Sequence, residues 1–396
     1  MTAGRVYLDY NASAPLRPEV VEAMLRVLTA SGNGSSVHRE GRAARAAIEE
    51  ARANAAALVG AQAAKLVFTS GGTEANVLAL SPHVRIRGFE GRNKDLPPSR
   101  CFIGATEHPS ILAGGRFPAE AVTVVPVDGN GVVDIGWLAE HLGAGGEGWP
   151  FVSLQMANNE TGVLQPIAEV AQLVHAAGGV LHVDAVQAAG KMPIDFSTLG
   201  ADMLSFSAHK FGGPQGAGAL VYNPGIDLGP ALLRGGGQEE GHRAGTENLA
   251  AIVGFGAASA IAFGAIDHYM KAMAGMRGRI EHDMRSVLPD VVVFGDGVQR
   301  LANTSAFAIP GVKAETLVMA FDLAGVAVSS GSACSSGKVR PSHVLAAMGV
   351  EPVVAEGAVR ISLGWANRDE DVERFASAFA KVTRSLLARR HGDRAA

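Results

Sequence analysis

Three clusters of polar residues could do chemistry, and each directly follows a short apolar run that is typical of a buried strand. The first cluster, residues 70–76, contains Gly72 and Thr73. Its backbone N–H groups and the Thr73 hydroxyl could bind a phosphate, helped by the positive end of a following helix. A glycine turn with Thr73 as a helix cap explains the same residues. Both interpretations stay open for this cluster taken alone.

The second cluster contains Asp184, at the end of an apolar run, and Gln187 just beyond it. A carboxylate buried at the end of a strand is costly unless it meets a cation or several hydrogen-bond donors. A pyridinium N–H would satisfy it, and enzymes that use pyridoxal 5'-phosphate (PLP) keep the ring nitrogen protonated in this way so that the ring can accept electrons. An aspartate that caps the next turn is the alternative.

The third cluster contains Ser207, His209 and Lys210, and a glycine-rich turn follows it. A lysine amine desolvated at the end of a strand can form a Schiff base, and the two neighbouring side chains could bind phosphate. Taken alone, a lysine in a turn is more often solvated. A phosphate site, a carboxylate for a pyridinium and a reactive lysine are together the three anchors that PLP requires, so the combined pattern predicts a PLP site.

The apolar runs alternate with stretches typical of helices, which predicts an α/β fold with a mostly parallel sheet covered by helices. Helices are predicted for residues 41–59 and for the Ala-rich segment after Asn248. In such sheets, ligands bind at the carboxyl ends of the strands, where the three clusters fall. The runs predicted to form strands are residues 65–70, 101–104, 122–127, 151–155, 180–183 and 203–206.

The length and composition predict two closely packed domains. The chain has 396 residues, of which 47% are hydrophobic, enough to bury a large core. We expect a large domain over residues 16–265 and a small domain formed by residues 1–15 together with 266–396. Residues 81–100 look like a surface excursion, and we assign them no function.

The charge and the cysteine content exclude several classes of partner. Lys plus Arg number 34 and Asp plus Glu 38, a net charge of −4, so no broad basic surface is expected and nucleic acid is a poor candidate for a partner. The sequence contains no uninterrupted run of about 18 apolar residues, so no membrane span is expected. Two cysteines, Cys101 and Cys334, and the lack of an export signal predict a protein of the cytoplasm.

Ordered motifs along nearly the whole chain carry a resemblance to a known family. The sequence resembles the cysteine desulfurases, which are class V aminotransferase-like PLP enzymes of fold-type I, in the branch that serves iron–sulfur cluster assembly. The resemblance implies a PLP-dependent transferase fold with a large, mostly parallel sheet domain and a smaller α/β domain. The motifs are YLDYNASAP, FTSGGTEAN, ATEHPSIL, MANNETGVLQPI, HVDAVQAAGKMPID, SFSAHKFGGPQGAG, GGGQEEGHRAGTEN, SSGSACSSG and VRISLG.

The resemblance also implies a role for individual residues. Lys210 would be the Schiff-base lysine, Asp184 the partner of the pyridine nitrogen and Gln187 the contact of the phenolic oxygen. His108 would stack on the cofactor ring and move protons. The phosphate would be held by Gly72, Thr73, Ser207 and His209, with Thr246 reaching the phosphate of a neighbouring subunit in a homodimer with shared active sites. Asn159 and Arg360 would fix the substrate carboxylate, for which a guanidinium fork is suited.

Cys334 decides which reaction the resemblance implies. It stands among small residues in SSGSACSSGK, so we expect a mobile loop, whereas Cys101 fits a buried core position. A thiolate on such a loop could attack the sulfur of bound L-cysteine and carry it away as a persulfide, leaving L-alanine. The sulfur would pass to an acceptor protein such as an iron–sulfur scaffold. No stable metal site is expected, with Cys334 at most a transient iron–sulfur contact.

Two other functions stay open at this stage. A related PLP enzyme, such as a selenocysteine lyase or an aminotransferase, would not need Cys334. A non-catalytic scaffold that binds assembly partners would not need the cofactor, and the intact set of Lys210, Asp184 and His108 argues against it.

Overall fold

The computed structural model describes residues 5–86, 96–143, 148–331 and 341–393, with side chains to residue 386. In chain order its strands are β1 (Val6–Tyr7), β2 (Leu66–Thr69), β3 (Arg85–Ile86), β4 (Pro98–Gly104), β5 (Val122–Val125), β6 (Trp149–Gln155), β7 (Val180–Asp184), β8 (Met203–Ser207), β9 (Gly218–Tyr222), β10 (Ile226–Asp227), β11 (Val292–Val293), β12 (Thr304–Ala308), β13 (Val326–Ala327), β14 (Ser329–Ser330) and β15 (Ala358–Ser362).

The α-helices cover both faces of the sheets. They are α1 (Pro18–Leu28), α2 (Arg39–Leu58), α3 (Gly72–Ala79), α4 (Pro109–Leu112), α5 (Ile135–Gly143), α6 (Ile167–Ala176), α7 (Phe196–Leu199), α8 (Leu249–Val287), α9 (Ala314–Leu323), α10 (His343–Ala347), α11 (Pro352–Ala355) and α12 (Asp369–Asp393). The helices predicted for residues 41–59 and after Asn248 correspond to α2 and α8.

The main sheet has seven strands in the order β2-β9-β8-β7-β6-β4-β5. Strands β8, β7, β6, β4 and β5 are mutually parallel, and β9 is antiparallel to both β8 and β2. Every strand except β9 therefore runs in one direction, and six carboxyl ends share one edge. All six runs predicted as strands lie in this sheet, and the predicted α/β class with a mostly parallel sheet is confirmed.

Successive residues of the central strands point to opposite faces, and each face has its own core. In β4, Phe102 packs on the face covered by α2, α6 and the first half of α8. Cys101 and Ile103 pack on the opposite face, against α3 and Ile111 of α4. The central strands β6, β7 and β8 are buried along their whole length between these two layers, which explains why they read as continuous apolar runs.

A second core surrounds a small antiparallel sheet in the order β11-β12-β15-β14. Its centre is an aromatic cluster in which the rings of Phe307, Phe321, Phe375 and Phe379 lie 5.6–6.5 Å apart. Strand β1 pairs with β13, and Val6 and Leu8 pack in this core. Val6 and Leu8 thus pack with elements from the C-terminal part of the chain, and the assignment of residues 1–15 to the small domain stays a prediction.

Helix α8 is a single helix of 39 residues shared by both cores. Its residues up to Ala262 pack in the large core, and those from Tyr269 onward pack in the small core. It is long and apolar enough to cross a membrane by length and composition, but its first half packs against α1 and α2. The predicted boundary at 265/266 falls inside this helix, and the division into domains stays a prediction.

Two leucines of α9 test how much the small core contributes to stability. Leu317 is fully buried and Leu323 is 89% exposed. We expect Leu317→Ala to lower the free energy of unfolding by about 2–5 kcal/mol, because it removes buried methyl groups and leaves a cavity. Leu323→Ala, the matched control, should change it by less than about 0.5 kcal/mol. Denaturant titration measures both, and equal losses would contradict the packing described.

Candidate active site

A cavity of about 320 Å³ lies at the carboxyl ends of the parallel strands. Side chains from β7, β8, α3 and the N-terminal segment converge there, as expected for this kind of sheet. Ten of the residues singled out in the sequence line this one cavity: Gly72, Thr73, His108, Asn159, Asp184, Gln187, Ser207, His209, Lys210 and Arg360.

Asp184 is the last residue of β7 and is buried. Its Oδ2 accepts a hydrogen bond from Nδ2 of Asn76 (2.8 Å), and its Oδ1 accepts one from the backbone N–H of Val186 (2.9 Å). Burial raises the pKa of this carboxyl, and the hydrogen bonds and the nearby positive groups oppose that rise. A cationic N–H bound in the cavity would compensate the buried charge further.

Asn76 connects Asp184 to His108. Its Nδ2 also donates to Oγ of Ser110 (2.9 Å), and that hydroxyl lies 2.8 Å from Nδ1 of His108. The backbone N–H of Ser110 donates to the same Nδ1 (3.2 Å), so Nδ1 carries no proton and the neutral ring holds its proton on Nε2. Burial lowers the pKa of His108, which favours this neutral form.

The oxygen of the Asn76 amide is held from the interior of the sheet. Oγ of Ser205 donates to Oδ1 of Asn76, and Nε2 of His182 lies 3.1 Å from that hydroxyl. Nδ1 of His182 is 2.9 Å from Oγ of Ser153. Burial lowers the pKa of His182 to about 3, so a neutral histidine completes a buried chain of hydrogen bonds that fixes Asn76.

The part of the cavity beside the start of α3 has the features of a phosphate site. Gly72 and Thr73 are the first residues of α3, and the N–H groups of a first helical turn have no partners within the helix. A Cβ at position 72 would lie 2.7 Å from Cγ2 of Val186, so glycine is needed for the helix to begin this close to the cavity wall. Ser207 and His209 face the same space, and burial lowers the pKa of His209 to about 4, which leaves a neutral ring.

Lys210 reaches the cavity from the short 3-10 helix Ala208–Lys210. Its Nζ donates to the backbone oxygens of Asn11 (2.6 Å) and Ala12 (3.0 Å). The N-terminal segment therefore closes the cavity over the lysine. Asn11 is buried, and its Nδ2 donates to Oγ1 of Thr304 (2.9 Å) in the small sheet.

Arg360, in β15 of the small sheet, forms the opposite wall and is almost fully buried. Its Nη2 donates to Oδ1 of Asp9 (2.6 Å) and its Nη1 to the backbone oxygen of Asn159 (2.9 Å). The Nε–H is buried without a hydrogen-bond partner in the described part of the chain. The guanidinium is thus held in place with donors still available for an anion.

Two predicted site residues remain, of which one lies elsewhere and the other is outside the described residues. Thr246 is exposed and lies in a separate surface pocket beside Ser70 and Arg243. Its predicted role concerned the neighbouring subunit, and that role stays a prediction. Cys334 lies outside the described residues. The other cysteine, Cys101, is buried in the core, and burial raises the pKa of its thiol to about 12.

Three contributors to the site were not assigned a role from the sequence: Asn76, Asn11 and Lys191. Asn76 stands in the motif of the phosphate cluster, and Lys191 lies four residues after Gln187, a spacing that places two side chains on one side of a helical turn. No group of three or more His, Cys, Asp or Glu side chains that could hold a metal ion occurs among the described residues.

Comparison with known proteins agrees with this geometry. Residues 6–375 match the family model of the class-V aminotransferases. The chain is 42% identical over 391 residues to the cysteine desulfurase of Cereibacter sphaeroides, covering 97% of both chains. It is 37% identical over 385 residues to the cysteine desulfurase IscS of Dictyoglomus turgidum, covering 96% of this chain and 95% of the relative. The crystal structure of a NifS-like protein from Rickettsia africae superposes with a TM-score of 0.86 at 35% identity, over 96% of this chain and 99% of the other.

The chain therefore belongs to the class-V aminotransferase family and, within it, to the cysteine desulfurases. The family is PLP-dependent, so the predicted cofactor is confirmed. The cavity fits this cofactor chemically. The start of α3 offers unpaired N–H groups for a phosphate, Asp184 offers a buried carboxylate for a pyridinium, and Lys210 offers an amine.

The role of Asn76 can be tested through cofactor affinity. Asn76→Ala removes one donor from Asp184 and one from Ser110. Because a hydrogen bond to a charged group contributes about 1.5–3 kcal/mol, we expect PLP to bind roughly 10- to 100-fold more weakly. Titration of the cofactor-free protein with PLP, followed by absorption, measures this. Asn223→Ala is the matched control, since among the described residues the Asn223 side chain donates to the Ala201 oxygen and does not line the cavity; equal affinities in the two variants would count against the assignment.

The buried His182 predicts how the free energy of unfolding changes with pH. In the unfolded chain a histidine takes up a proton near pH 6.5, whereas in the folded protein the pKa of His182 is about 3. The stability it contributes is present above pH 6.5 and is lost as the pH falls toward 3. Between pH 7 and pH 5, wild type should lose roughly 2 kcal/mol more than His182→Gln. Denaturant titrations at both pH values with saturating PLP measure this, with the exposed His268→Gln as control; parallel losses in wild type and His182→Gln would refute it.

Proposed function

We propose that this protein removes sulfur from L-cysteine, releases L-alanine and keeps the sulfur as a persulfide on Cys334. The observation that carries the proposal is the convergence of Asp184, Lys210 and the start of α3 in one cavity, in a chain that belongs to the cysteine desulfurases.

The proposed reaction balances without an outside oxidant. The carbon–sulfur bond of cysteine breaks and a sulfur–sulfur bond to Cys334 forms. The thiol hydrogen ends on carbon, which becomes the methyl group of alanine, and the other product is Cys334–S–SH. Carbon is reduced and sulfur is oxidised to the same extent. When bound, PLP withdraws electrons from the bonds at the substrate's alpha carbon.

The residues of the cavity have separate tasks in this proposal. Lys210 holds the cofactor covalently through Nζ. Asp184 would bind the ring nitrogen and keep it protonated, and the two hydrogen bonds to its carboxylate favour the ionised form against the effect of burial on its pKa. His108 presents its Nε2–H to the cavity, because Ser110 holds Nδ1, and so it can donate a hydrogen bond to a group bound there. Thr73, Ser207 and His209 bind the phosphate.

Arg360 binds the substrate carboxylate. The contacts to Asp9 and to the Asn159 backbone fix the plane of its guanidinium before substrate arrives. The N–H groups that remain, together with the Asn159 side chain, can take up two carboxylate oxygens. This arrangement selects an amino acid over a simple thiol, since a compound without a carboxylate would leave the remaining N–H groups of the buried guanidinium without an acceptor.

The further partners belong to the same proposal. Thr246 is exposed and lies outside the cavity of its own chain. A residue that reaches the active site of a second subunit would need such a position, which supports a homodimer with shared sites. The sulfur on Cys334 passes to an acceptor protein, such as an iron–sulfur scaffold. We place the reaction in the cytoplasm, where a reactive thiol stays reduced.

The two cysteines give a direct test. Cys334→Ser should keep the cofactor absorption but lose more than about 100-fold in alanine formation from L-cysteine, because it lacks the attacking thiol. Cys101→Ser is the matched control and should keep alanine formation, since this buried thiol with a pKa of about 12 takes no part. Mass spectrometry after addition of L-cysteine should find one added sulfur atom on Cys334 in wild type and in Cys101→Ser.

Two results would contradict the proposal. Unchanged alanine formation in Cys334→Ser would favour a related PLP enzyme that does not use this thiol. A wild-type protein that binds no PLP would favour a scaffold. Lys210→Ala, which removes the covalent link, should lose the absorption of the bound cofactor that Cys334→Ser retains.

A further inference from the structure

Lys191 is a buried lysine that no step of the proposed reaction uses. Its side chain is 2% exposed, and it forms no ion pair with a carboxylate in the described ranges. Its Nζ donates to Oε1 of Gln187 (2.7 Å) and to Oδ1 of Asn11 (2.8 Å). A lysine is rarely buried without a partner of opposite charge, so this position calls for an explanation.

The contact with Gln187 determines which way that amide faces. A lysine ammonium can only donate hydrogen bonds, so the Gln187 atom beside it is the oxygen. The nitrogen Nε2 donates one hydrogen to the backbone oxygen of Asn11 (3.0 Å). Its second hydrogen remains for the cavity that Gln187 lines. The cavity therefore receives a donor from Gln187, and Lys191 holds the other end of the amide.

In its protonated form Lys191 also places a positive charge next to Gln187, which lines the cavity. Burial lowers the pKa of its amino group well below the ordinary value, and the charges of Lys210 and Arg360 lower it further. An anionic oxygen in the cavity acts in the opposite direction and favours the charged ammonium. A charged Lys191 in turn polarises the Gln187 amide and strengthens its N–H as a donor.

We infer that Lys191 is a positioning residue that orients and polarises Gln187, so that this part of the cavity stabilises an ionised phenolic oxygen on the bound cofactor. The inference rests on the proposed function, because it takes PLP to bind with its phenolic oxygen toward Gln187. It adds a residue that touches neither the cofactor nor the substrate and acts through one that does.

The test is an absorption titration of the PLP-loaded protein with pH, which needs no turnover. The titration follows protonation of the nitrogen that joins Lys210 to the cofactor. A positive charge nearby and a donor to the phenolic oxygen both oppose that protonation. Lys191→Met should therefore move the midpoint upward by roughly one pH unit. Lys271→Met, which changes an exposed lysine on α8, is the matched control and should leave the midpoint unchanged.

A double variant shows whether Lys191 acts through Gln187. Gln187→Met alone should also raise the midpoint, and the shift in Lys191→Met/Gln187→Met should be clearly smaller than the sum of the two single shifts. Fully additive shifts would overturn the positioning role, and an unmoved midpoint in Lys191→Met would overturn the inference altogether.

A second variant guards against loss of the fold. Lys191→Gln removes the charge but keeps an N–H for Oε1 of Gln187, so its midpoint should rise by less than that of Lys191→Met, and an unmoved midpoint here would also overturn the inference. Failure of the proposed function is recognised separately, because wild type would then form no alanine from L-cysteine whatever the titration of Lys191 variants shows.

Discussion

A buried carboxylate that must stay ionised is the constraint on which the site depends. Asp184 ends a central strand, where burial raises its pKa and favours the neutral form. Asn76 and the backbone of Val186 counter this by donating to its two oxygens. Asn76 can do so only because α3 begins close to the end of β7, which requires a glycine at position 72. The same helix therefore supplies the N–H groups of the phosphate site and the Asn76 donor to the carboxylate.

A second requirement is that parts distant in the sequence meet at one cavity. Asn11 joins them. Its backbone oxygen accepts from Lys210 and Gln187, its side-chain oxygen accepts from Lys191, and its Nδ2 donates to Thr304 in the small sheet. The lysine proposed to hold the cofactor and the sheet that carries the arginine are thus tied to one buried asparagine. A change at Asn11 would therefore disturb both the contact with Lys210 and the link to the small sheet that carries Arg360.

The sequence predicted the parts of the site whose chemistry is visible in residue type and position. Asp184, Ser207 and Lys210 follow apolar runs, and parallel strands bring such ends to a common edge, so their convergence could be foreseen. The parts that it missed depend on packing between elements. Asn76 faces Asp184 because of the register between α3 and the strands. Lys191 contributes because Asn11, which is distant in the sequence, packs against it. Neither contact can be inferred from the local spacing of residues. A helix leading out of the large domain after Asn248 was predicted, but not that it would continue unbroken through both cores, because Gly264 lies between them at a place where a helix can end.

The ion pair between Asp9 and Arg360 spans 351 positions of the chain, and this has a consequence for biosynthesis. While the protein is being translated, the strands that supply Asp184 and Lys210 leave the ribosome long before Arg360 is made. Until then Asp9 lacks the cation that it is paired with in the finished protein. A nascent chain can thus contain Asp184, Lys210 and the start of α3 before it contains the arginine proposed to bind the substrate carboxylate, so binding of PLP does not by itself report a completed enzyme.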